Sequence, residues 1–75
     1  MSEAIQVNIA SDQEHEKVVA EIYHDGKFVM IVSRDHETAM VEIPGAGLDE
    51  SCISRTVPLE ELQEALRIAA LRLND

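Results

Sequence analysis

Two runs of β-branched and apolar residues, within the stretch Lys17 to Arg34, stand on either side of Asp25-Gly26. An Asp-Gly pair between such runs is a strong hairpin signal, because a type I′ turn needs positive φ at both central residues. With a two-residue loop, Val18 faces Ser33, Ala20 faces Ile31 and Ile22 faces Val29 on one side of the ribbon. The other side then carries Val19 with Val32, Glu21 with Met30 and Tyr23 with Phe28. Both faces are apolar in that register, which calls for two covering layers, from this chain or from another copy.

The remaining elements follow from the same patterning. Ala4 to Ile9 alternates, with Ile5, Val7 and Ile9 on one side, and predicts a one-sided strand. Ala10 to Glu16 is polar and reads as a loop. Thr38 to Ile43 alternates again until Pro44, and Gly45-Ala46-Gly47 follows as a turn. Cys52 to Val57 could be an extended lead into the last element and is read as a fifth strand. Pro58 to Leu73 is built from strong helix formers, with Glu60 and Glu61 near its positive end and Arg72 near its negative end. At 100° per residue, Leu59, Leu62, Leu66, Ala69, Ala70 and Leu73 share one stripe, suited to a sheet. Ile68 and Leu71 fall opposite. The expectation is an α+β domain, a single unit over residues 1–75: a four- or five-stranded antiparallel meander with one C-terminal helix on one face. The second apolar face predicts a homodimer, its interface formed by Tyr23, Phe28, Met30 and Val32 with Ile68 and Leu71.

Composition narrows the function. The chain of 75 residues holds fifteen Asp and Glu against six Lys and Arg, a formal charge of -9. Nucleic-acid binding depends on cationic neutralisation of phosphates, so such a surplus argues against nucleic acid and anionic membranes as partners and favours a basic protein. The same charge also serves solubility. With one cysteine no intramolecular disulfide forms, and the N-terminus has neither the basic start nor the apolar run of a signal peptide. A cytoplasmic location is expected.

Candidate chemistry is sparse. The two-residue-loop register sets His15 opposite His36 with carboxylates nearby, but a metal centre needs three or four ligands converging on rigid elements. These lie where the ribbon frays, so solvated strand ends are expected, and no metal or cofactor. His24 reads as a polar hairpin tip. The Pro44 to Leu48 stretch matches no phosphate-loop pattern. Cys52 lacks a base near it in sequence and reads as a small buried hydrophobe, and no serine has a nucleophile-elbow context. A base-stacking role for Tyr23 and Phe28 would need a basic groove, and an aromatic cross-strand pair accounts for both residues. Nothing assembles a nucleophile, a base and an oxyanion site, so an enzyme is not expected. The candidate partner surface is the acidic cluster Asp12, Glu14, Glu16, Asp35 and Glu37, crowded by sequence at the open end of the hairpin.

The run VEIPGAGLDESCISRTVPLEELQEALRIA, Val41 to Ala69, resembles small antitoxin domains of the HicB type, in which a strand ending in proline and glycine leads through a short strand to a helix opening with paired acids. It covers under half the chain, and its loop is longer, with Val-Pro before the helix and no DNA-binding segment after it. The resemblance lends slight weight to an inhibitor class. The expected function is a non-enzymatic acidic inhibitor of the antitoxin, immunity or phage anti-defence type, acting on a basic protein such as a nuclease or toxin. The alternative is a homo-oligomeric scaffold whose acidity serves solubility alone.

Overall fold

The computed structural model describes residues 4–11, 16–35, 37–44 and 50–73. It is an α+β fold: strands β1 (Ile5–Ala10), β2 (Val19–His24), β3 (Lys27–Ser33) and β4 (Met40–Glu42), then helix α1 (Leu59–Leu73). The strands form one antiparallel meander in the order β1-β2-β3-β4, and α1 packs on one face.

The hairpin turn adopts the expected conformation, with φ of 53° at Asp25 and 79° at Gly26. Asp25 N–H donates to Ala4 O at 2.8 Å, tying the turn to the start of β1. Tyr23 lies opposite Phe28, as a two-residue loop requires, but the register then shifts at a bulge, so that Ile22 lies opposite Met30 and Ala20 opposite Val32. Val29 is the extra residue. A bulge sets two residues against one and moves every later side chain to the other face.

This shift corrects the facial assignment. Ala20, Ile22, Val29 and Val32 are buried together with Ala65 and Ala69 of α1, and Met30 packs against them. Met30 and Val32, expected on the second face and in a dimer interface, therefore belong to this chain's own core. Ile31, expected beneath the helix, lies opposite Glu21 and so faces away from it. In β1, Ile5 and Val7 pack on the core as expected, whereas Ile9 is 38% exposed.

The helix begins as its sequence indicates. Leu62 N–H donates to Pro58 O at 3.0 Å, so Pro58 sits at the cap and its missing N–H costs nothing. Leu62, Leu66 and Leu73 pack on the core while remaining partly exposed, and Ala65 and Ala69 are the fully buried residues of the helix. Leu59 and Ala70, assigned to the buried stripe, are exposed. The buried stripe is thus centred on Ala65 and Ala69, rotated away from Leu59 and Ala70.

Cys52 to Val57 is not a fifth strand. Glu50–Cys52 is a 3₁₀ turn, and Ile53 makes one parallel bridge to Phe28, with Ser54 N–H donating to Phe28 O at 2.9 Å. The stretch thus covers the edge of β3 near the hairpin turn, while β4 covers it from Ile31 to Ser33. Cys52 is exposed, against the buried role expected for it, and Ile53 is the buried residue of this stretch. The Gly45-Ala46-Gly47 turn lies outside the described residues. Among the described residues, no helix is long and apolar enough to cross a membrane.

Candidate partner-binding surface

The sheet face opposite α1 is assembled by register. Glu21 lies opposite Asn8 on one side and Ile31 on the other, and Ile31 lies opposite Glu42, so Asn8, Glu21, Ile31 and Glu42 form one row across four strands. Gln6, Tyr23 and Phe28 form the next row toward the turn. The Tyr23 and Phe28 rings meet edge to face at 5.8 Å between centroids. At the far end, Val19 and Ser33 are buried, so the face is closed there; Tyr23, Phe28 and Ile31 are half-buried, and Met40 and Glu42 are exposed. Among the described strand residues, the charged side chains on this face are Glu21 and Glu42.

Tyr23 Oη donates to Glu21 Oε1 in a long contact of 3.5 Å. Burial, then the negative charge of Glu21, then this hydrogen bond raise the Tyr23 phenol above its ordinary value. Each disfavours a phenolate at this position.

The acidic cluster expected from sequence is partly placed. Glu16 and Glu37 are exposed, and Asp35 Oδ1 accepts the Lys17 N–H at 3.2 Å, which draws residues 16–17 and 35 together at the open end of the hairpin. Asp12 and Glu14 lie outside the described residues. So do His15 and His36. Among the described residues, no three His, Cys, Asp or Glu side chains gather as metal ligands. Of the helix residues assigned to a dimer interface, Ile68 is half-buried and Leu71 is 57% exposed.

Two features on the helix side escaped the sequence reading. His24 lies between Asp25 and Glu61, with Nδ1 3.7 Å from one carboxylate and Nε2 3.8 Å from the other. Glu61 Oε1 is shut off from solvent and has no hydrogen-bond partner among the described residues. An apolar cavity of about 320 Å³ opens where the end of β4 meets the start of α1, lined by Met30, Ile43, Val57 and Leu62 with Arg55 beside them. Both depend on the placement of α1 over the hairpin, which no local pattern encodes.

Comparison with protein-family models, curated proteins and solved structures returns no match. The resemblance of residues 41–69 to HicB-type antitoxins therefore has no family match behind it, and the functional reading rests on surface chemistry.

Proposed function

We propose that the chain is a small acidic binding module, not an enzyme, that inhibits a partner protein by occupying its basic surface, as antitoxins, immunity proteins and phage anti-defence inhibitors do. The observation that carries this reading is the sheet face opposite α1, where half-buried Ile31, Tyr23 and Phe28 are accompanied by the carboxylates of Glu21 and Glu42. A chain of net charge -9 repels nucleic acid and anionic membranes and steers toward cationic proteins. Glu16, Asp35 and Glu37 extend the acidic surface at the hairpin's open end. The test is affinity capture from the native host with the whole chain as bait. A basic protein recovered in stoichiometric amount, released by salt and losing its activity as the bait is titrated in, supports inhibition. A neutral or acidic partner whose capture ignores salt counts against it.

The alternative, a homo-oligomeric scaffold, is favoured by a different observation. The edge formed by β4 exposes Met40 at 58%, Val41 at 47% and Ile43 at 72%. Exposed edge strands with apolar side chains are natural sites of pairing between copies. Recovery of the chain with itself alone supports this reading.

A further inference from the structure

We draw no further inference here: the strongest candidate, the apolar cavity where the end of β4 meets the start of α1, lined by Met30, Ile43, Val57 and Leu62, carries none because nothing in the structure shows what covers it.

Discussion

Tyr23 is the single tyrosine of a chain without tryptophan, so its ionisation can be followed alone by ultraviolet absorbance. Its phenol is held above the usual value of about 10 by burial, and further by Glu21. A group whose folded-state value is raised contributes stability that is fully present below the unfolded value and lost as pH rises through the folded one. The melting temperature should therefore fall above about pH 10, and Tyr23→Phe should flatten that alkaline limb. An identical limb in the variant would place the loss elsewhere. Gly26 offers a second measurement on one residue. Its φ is 79°, and a Cβ added there meets nothing within 4 Å, so Gly26→Ala carries backbone strain without a clash. Denaturant titration should show a loss of about 1 to 2 kcal/mol, the cost of a left-handed conformation for an L-residue. This turn was legible from Asp25-Gly26 because positive φ is a local demand, and these two residue types meet it.

Among the elements, α1 and the hairpin divide along what is local and what is not. The limits of α1 were readable from Pro58, Glu60, Glu61 and Arg72, since capping and dipole preferences act within one turn. Its buried stripe was read less well: Ala69 was placed on it correctly, but Ala65, which is fully buried, was left off, and Leu59 and Ala70, which are exposed, were included. Ala65→Leu should overpack the contact between helix and sheet and cost about 1 to 3 kcal/mol, whereas Ala70→Leu at an exposed position should stay within about 0.5 kcal/mol of the parent. Equal effects would disprove the assigned helix rotation. On the sheet, Ile22 is fully buried at the centre of β2, and Ile22→Ala should cost about 2 to 5 kcal/mol by lost burial and a cavity. A midpoint of unfolding unmoved by that change would contradict the core described above. The candidate site was half legible. Tyr23 and Phe28 were paired correctly from the turn, but the row of Glu21, Ile31 and Glu42 was hidden by the bulge at Val29.

For the molecule as a whole, charge and oligomeric state carry the functional test. The bulge turns Met30 and Val32 into the core, which leaves Tyr23, Phe28 and Ile31 with two carboxylates on the opposite face. That face is less suited to self-association than two wholly apolar sides would be. Under the inhibitor reading, light scattering at micromolar concentration should give a mass near 8.3 kDa, and a stable dimer would favour the scaffold reading. Complex formation with a basic partner should weaken as salt rises, since exposed charges are screened beyond about 8 Å at physiological ionic strength. Affinity unchanged by salt would argue against an electrostatic interface.

Element order, the type of turn, the helix span and the acidic surplus were all present in the chain as read, because each arises from preferences that act over a few residues or from simple counting. Facing was not. One added residue at Val29 exchanged Met30 for Ile31 beneath the helix, and a preference for such a bulge is decided by how the later strand packs, not by the residues beside it. The same holds for Ala65, buried by close packing, and for Glu42, brought into line with Glu21 by pairing of β4 with β3. These depend on contacts between distant parts of the chain, whose energies exceed the local differences that a pattern of apolar and polar residues can register.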